Sequence, residues 1–563
     1  MSLFSRSALY FLLAVGLIII CAVSAPAQAV SPEPEVLPLT PFDHFSGAFG
    51  WASYDASGTT NGTTGGYDAD ADHMYMVSNR NELIKALYPD AVIADDGSFS
   101  SQVGPDDSPK IILVRGGIDL SSSKAGKALG YEDFKDPEFD FEQYVETYKP
   151  VVWNIDPANW DTKKRCPLPV SGPLEDARVR SMKNQARIVS IAVGSNTSII
   201  GLGKHAVIKN GQLKIKDVDN VIVRNITFED AFDHFPQWSP KDSYKLDTTK
   251  PGCQQTYVDQ STGPHMCHGG RWNSEYDNVQ IRNSTHVWID HCSFSDGRNE
   301  DNHFPSVFTP PHVGYDYLIQ HHDGAVDVTG TSDFVTISHN HFKNHDKTHL
   351  LGSSNTVKVS KGWGALNITV AYNHYENAGQ RLPRVRFGKV HVYNNYYSGR
   401  IGYLGAYAPT DDSSVPANRF LYGIGIGHLA KLYVENNVFE IENAPVEGTG
   451  DIVDESVMFY VWHKDDQEVN GVLERTYFYD TGTLLNGKAA SIMNAARQAC
   501  KEMGKSELAS TDMIWTPDDN YHYQLLPSKK VKRYVLGNAG AGKPYRMDQA
   551  QNSETKSNAS VSK

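Results

Sequence analysis

Cysteine is scarce in this chain, 6 of 563 residues. No two are spaced Cys-x-x-Cys, which argues against a structural zinc knuckle. Long apolar runs are scarcer still. One exists, Ala8 to Val23, so a helical protein with several membrane spans is excluded. Basic charge is in deficit, with 52 Lys+Arg against 66 Asp+Glu and a net charge of −14. A nucleic-acid binder needs the opposite balance to neutralise phosphates, whereas a local basic patch for another anion stays compatible with it. Hydrophobic residues make up 40% and aromatics 11% of the chain, enough for a sizeable core and too much for global disorder.

Arg6, the apolar run and then Ala27-Gln28-Ala29 follow in the order of a secretory leader, with cleavage expected after Ala29. The remaining chain is expected to be secreted, extracellular or periplasmic, without membrane attachment and as a monomer. Five cysteines stay with it, an odd number, so at least one is unpaired or pairs between chains. Cys253 and Cys267 share one polar stretch and are the expected disulfide in an oxidising compartment. Cys292, in a strand-like segment, is expected as a buried thiol.

A hexapeptide recurs through the middle of the chain: a β-branched residue, two variable, a small or amide residue, one variable, then Phe or Tyr. The six copies are Val223–Phe228, Ile289–Phe294, Ile337–Phe342, Val370–Tyr375, Val392–Tyr397 and Val434–Phe439. Several of their spacings lie near multiples of 21 or 22, and the others need longer loops. Alternating runs such as that before Ile289 have strand periodicity. Strands repeating at that period predict an all-β solenoid of stacked parallel coils, with long loop excursions and short peripheral helices. Asn340, Asn373, Asn395 and Asn437 occupy the fourth position and could hydrogen-bond from coil to coil. One solenoid domain is expected over 30–545, followed by a polar tail, 546–563. Asn79 to Glu82 has capping-box form ahead of a short helix, and 121–186 reads as a large surface excursion.

Candidate chemistry sits where carboxylates and cations recur. Asp323 and Asp327 immediately precede a strand, and Asp277 precedes another that the spacing places two coil-steps earlier. Stacked on one face, three hard oxygen donors would suit Ca²⁺; the residues alone leave open three solvated turn aspartates. The histidines between His321 and His349 show no His-Glu-x-x-His pattern and read as ladder or surface material rather than zinc ligands. From Gln380 to Lys389, four cations fall close together in an acidic protein. Arg384 and Arg386 should share one strand face, with Arg381 just ahead of Pro383 and Lys347 arriving from the preceding coil. Such a cluster could hold carboxylates, Arg by bidentate contacts and Lys as a point charge.

The segments Trp288–Phe294, His322–Asp327, His345–Lys347, Arg381–Arg386 and Val390–Asn395, in that order, resemble the pectate lyase family, as does Asn196–Gly203 upstream. The resemblance spans about residue 47 to about 545 and implies a right-handed parallel β-helix. It leaves the excursions at 121–186 and 235–270 unexplained. By resemblance, Asp277, Asp323 and Asp327 match calcium ligands, with Glu275 and Asp290 as secondary candidates. Arg381 matches the base, and Lys347 and Arg386 match residues that hold the substrate carboxylate. The implied activity is calcium-dependent β-elimination on 1,4-linked galacturonan, favouring pectate over methylated pectin. A β-helix hydrolase would instead use paired acids, and a binding solenoid could keep the coils without turnover.

Overall fold

The corner of each coil explains why one hexapeptide recurs. Its third residue, Asn225, His291, His339, Tyr372, Asn394 or Asn436, has φ between 47° and 57°. One left-handed residue between two extended stretches turns the chain sharply, at a cost of roughly 1–2 kcal/mol for a non-glycine residue. Thus the Thr285–Asp290 strand ends, His291 turns, and Ser293–Ser295 begins in a different sheet. The fourth residue then points inward. Cys292 N–H donates to Asn340 Oδ1 at 2.8 Å, Asn340 N–H to Asn373 Oδ1 at 2.9 Å, Asn373 N–H to Asn395 Oδ1 at 2.9 Å and Asn395 N–H to Asn437 Oδ1 at 3.0 Å. All four asparagines are fully buried, so the expected amide ladder is present. Cys292 stands at its head as a buried thiol, which burial pushes up to about 12.

The sixth positions stack beneath. Phe228, Phe294, Phe342, Tyr375, Tyr397 and Phe439 form one column with centroid separations of 4.1–5.2 Å. Each such pair contributes about 0.5–1.5 kcal/mol beyond its buried area, which offsets the strain of the corners. Among the described residues, two sheets of ten strands and one of eight wind around this interior. Pairing between successive coils is parallel and in register, as in Thr285–Asp290 against Asp333–Ser338. Leu484–Leu485 against Lys488–Ala489 is an antiparallel ending. This is the expected parallel β-helix.

The computed structural model describes residues 47–543, apart from 56–61, 155, 162–165, 243–244, 247–266, 269, 310–311, 313–316, 402–419 and 444–452. All belong to one unit, Phe45–Lys563. The expected leader, the polar tail and the Cys253 half of the expected disulfide lie outside the described residues.

The short helix expected after Asn79 is Arg80–Leu87. Asn79 caps it by accepting from Glu82 N–H at 3.0 Å, and the Glu82 carboxylate reaches back to the chain ahead of the helix, accepting from Ser78 N–H at 2.7 Å. The 121–186 excursion is more ordered than its sequence suggests. It contains Phe141–Tyr148 and the 17-residue helix Pro173–Val189. Phe134, Tyr144 and Tyr148 join Trp238, Trp272 and Tyr276 in a second apolar cluster. Buried Arg178 pairs with Glu175 and donates to Phe235 O. The 121–186 excursion therefore packs on Phe235 and Trp238, and on Tyr276 next to Asp277.

Candidate active site

The eight-stranded sheet carries the predicted site along one edge. Its central strands in order are Val279–Arg282, Val326–Thr329, Leu350–Leu351 and Arg384–Val385. Backbone bridges extend the ladder upstream, Gly324 to Lys347 and Lys347 to Gln380. Successive coils thus present Asp277, then Asp323 and Asp327, then Lys347, then Arg381 and Arg386. Asp327 lies on the strand Val326–Thr329, whose partner Val279–Arg282 begins two residues after Asp277 and sets Gln280 opposite Asp327. The expected two-coil separation is corrected to one, because much of the intervening chain is loop.

Gly324 sits between the carboxylates. A Cβ there would lie 2.4 Å from Asp327 Oδ1 and 2.7 Å from Asp277 Oδ1. Its N–H donates to Asp277 Oδ1 at 2.8 Å, and Leu350 N–H donates to Asp327 Oδ1 at 2.8 Å. Burial, together with the charge of Asp323, pushes the Asp277 carboxyl up to about 7. Burial and the charges of Asp277 and Asp323 hold Asp327 well above the usual carboxylate range. Two buried acids repelling each other across a glycine-sized gap are an electrostatic deficit that a hard cation would relieve. The donor set therefore fits Ca²⁺.

Asp323 turns the other way. Its Oδ1 is 2.7 Å from Lys347 Nζ, and the lysine is buried. Burial raises the Asp323 carboxyl, but Lys347 and Arg381 outweigh it and leave it below its ordinary value. The oxygens of the three aspartates are consequently not all within 4.8 Å of one another. Two other groups do meet that spacing, Asp290–His291–His339 and His341–His374–Glu376. In each, the paired imidazoles are stacked, with ring planes 7° and 8° apart. Rings in parallel planes cannot both aim an in-plane lone pair at one ion, so these are ladders, as the sequence pattern indicated.

Arg381 follows the Gln380 bridge with φ of 60°, and its carbonyl accepts from His349 N–H at 2.9 Å. Its Nε is buried with no hydrogen-bond partner. Arg384 and Arg386 do share a face: their guanidiniums lie 3.8 and 4.0 Å from the centroid of Trp462. Arg386 is also held by Asn355 Oδ1 at 2.9 Å and by the carbonyl of Gly352. Burial and the neighbouring Arg384 and Arg381 bring Arg386 down to about 9. The site is thus an acidic cradle facing a cationic ridge, suited to a cation and a polyanion bound together.

Of the secondary candidates, Asp290 is not at the site. It lies in another sheet, where Arg224 Nε is 2.9 Å away, His291 Nδ1 2.7 Å away, and Ser338 Oγ donates at 2.7 Å. Glu275 is exposed, and its N–H donates to Asp233. Trp462 and Gly324 escaped the sequence reading. A glycine between two aspartates was the available signal for Gly324; Trp462 directly follows the strand Phe459–Val461 of the same sheet, and nothing in its local sequence marks it as a neighbour of Arg384 and Arg386.

A family model described as pectate lyase matches residues 172–544. A pectate lyase of Bacillus subtilis (strain 168) is 36% identical over 494 residues, covering 88% of this chain and 92% of its own. A solved pectate lyase from Acidovorax avenae subsp. citrulli superposes with a TM-score of 0.72 at 33% identity, covering 94% of this chain and 99% of that one. A pectate lyase bound to a hexasaccharide gives a TM-score of 0.64 at 34% identity, covering 88% and 97%. The chain belongs to the pectate lyase family and is a polysaccharide lyase built on a parallel β-helix.

Proposed function

We propose that the protein is a secreted, calcium-dependent pectate lyase that cleaves 1,4-linked α-D-galacturonan by β-elimination, releasing 4,5-unsaturated oligogalacturonides. The observation that carries this reading is the Lys347–Asp323 pair, which sits between the Asp277/Asp327 cradle and the Arg381–Arg386 ridge. Asp277, Asp323 and Asp327 would hold Ca²⁺. When bound, that ion supplies positive charge beside the uronate carboxylate, whose own negative charge otherwise suppresses C5 acidity.

Lys347 and Arg386 are suited to hold the carboxylate at the cleavage position. Charge that develops on it as C5 loses its proton would meet donors already fixed by the fold. Arg381 would receive the C5 proton. The C5–H electron pair becomes the C4=C5 double bond, and the C4–O glycosidic bond breaks. The departing oxygen takes a proton from solvent. A guanidine accepts a proton in its neutral form, so the rate is expected to rise toward alkaline pH.

The test is ultraviolet absorbance of purified protein with polygalacturonate at alkaline pH, with calcium and then with chelator. A growing unsaturated-uronate signal that chelator abolishes is expected. Reducing ends without that absorbance would mean hydrolysis, and polymer binding without either would mean a binding solenoid.

A further inference from the structure

The excursion ending near residue 270 has no counterpart in the repeat, yet it delivers a charged side chain to the back of the site. The segment Arg271–Asn273 pairs antiparallel with Gln237–Ser239, and Trp272 anchors it in the second apolar cluster. Arg271 Nη2 lies 3.1 Å from Asp346 Oδ2, and its Nε donates to Gln320 Oε1 at 2.7 Å. Asp346 also accepts from Gln320 Nε2 at 3.0 Å and from Gln380 Nε2 at 3.0 Å. Asp346, Gln320 and Gln380 are all buried. Gly379 leaves the room, since a Cβ there would lie 2.7 Å from Asp346 Oδ1.

The positions of these residues in the chain matter. Gln320 is three residues before Asp323, Asp346 directly precedes Lys347, and Gln380 directly precedes Arg381. One buried carboxylate therefore ties together the three coils that carry a proposed metal ligand, the proposed carboxylate-binding lysine and the proposed base. Two amide donors alone would leave that carboxylate's charge uncompensated, and a buried charge deprived of its partner is strongly unfavourable. The guanidinium supplies the compensation and a rigid fork that fixes direction.

We infer that Arg271 is a positioning residue: through Asp346, Gln320 and Gln380 it sets the relative placement of Asp323, Lys347 and Arg381, and this is what the segment Arg271–Asn273 contributes to the enzyme. The inference rests on the lyase reading for the roles of those three residues. Arg271 does not need to touch substrate for it to hold.

The experiment compares wild type, Arg271→Ala and Arg271→Lys in the full-length protein. The readouts are kcat and KM for polygalacturonate, and hydrogen exchange at the amides of Thr348, Gly379 and Gln380. Those amides bond across the clasped coils, to Gln380 O, His345 O and Asp346 O. Arg271→Ala is expected to lower kcat roughly 10- to 100-fold with KM within about threefold, and to speed exchange at these amides. Arg271→Lys keeps the charge without the fork and should recover part of both. Wild-type kcat in Arg271→Ala would overturn the inference. So would a loss of kcat with unchanged exchange, or one accompanied by general unfolding that Arg271→Lys does not relieve. If the wild type itself gives no elimination product, the lyase reading fails, and the clasp then stands or falls on the exchange data alone.

Discussion

Replacing Gly324 by alanine probes the cradle with a single methyl group. Gly324 does not have a left-handed φ, so alanine brings no backbone strain there. Its chain position is held by a hydrogen bond from its N–H to Asp277 and by one from Asn278 N–H to its carbonyl at 3.1 Å. The methyl carbon would lie 2.4 Å from Asp327 Oδ1 and 2.7 Å from Asp277 Oδ1, both closer than real Cβ contacts come. One or both carboxylates must swing away. Overpacking of this size costs about 1–3 kcal/mol, here paid from cation binding, because the displaced groups are the proposed ligands. At 1.4 kcal/mol per decade, that is roughly a 5- to 150-fold loss of calcium affinity. Isothermal titration with calcium chloride measures it directly, with the metal-free thermal midpoint as the check on folding. Gly117→Ala is the control, since its Cβ would meet nothing within 4 Å. Calcium affinity equal to wild type in Gly324→Ala would refute the placement of the ion between these aspartates.

Other outcomes follow from the same geometry. Asp277 has a folded-state pKa of about 7, above its unfolded value, so its ionisation opposes folding; Asp327 shifts in the same direction. Chelated protein should therefore lose on the order of a few kcal/mol as pH rises from about 4 to about 7. Saturating calcium should remove that loss, and a flat midpoint between pH 5 and 8 without metal would contradict it. Trp462→Ala takes away the surface on which Arg384 and Arg386 lie; KM for polygalacturonate should rise about tenfold while kcat falls less, and an unchanged KM counts against it. Asn373→Ala leaves the Asn340 N–H and the Ile337 carbonyl without ladder partners, so denaturant unfolding should show about 3 kcal/mol or more of destabilisation. A loss below about 1 kcal/mol would mean that the ladder relaxes.

The stacked coils were legible in the sequence because a solenoid repeats its interior. Asn340, Asn373, Asn395 and Asn437 meet from coil to coil, and the aromatic sixth positions form one column, because each copy sits in the same place on its coil. The left-handed third position was not visible, since Asn, His and Tyr fill it and no single side-chain chemistry marks it. Chain spacing does not separate coil from loop, so it sets Asp277 one coil too far from Asp323 and Asp327. The 121–186 segment escaped for a related reason. Its Phe134, Tyr144 and Tyr148 pack with Phe235, Trp238, Trp272 and Tyr276 in a cluster separate from the solenoid interior, so its order does not show in its own sequence. Lys347, Arg381 and Arg386 stood out as cations in an acidic chain, but the residues that hold them left weaker traces. Arg271, Trp462 and Gly324 act through contacts between distant segments.

The central claim is that Arg381 removes a proton beside a cation held by Asp277, Asp323 and Asp327. The most direct test is Arg381→Ala, followed by ultraviolet absorbance with polygalacturonate and by calorimetry with calcium. The account predicts calcium and polymer binding close to wild type, with the elimination rate lower by about 10² to 10⁴-fold. An elimination rate within a few-fold of wild type, with calcium still bound, would contradict it.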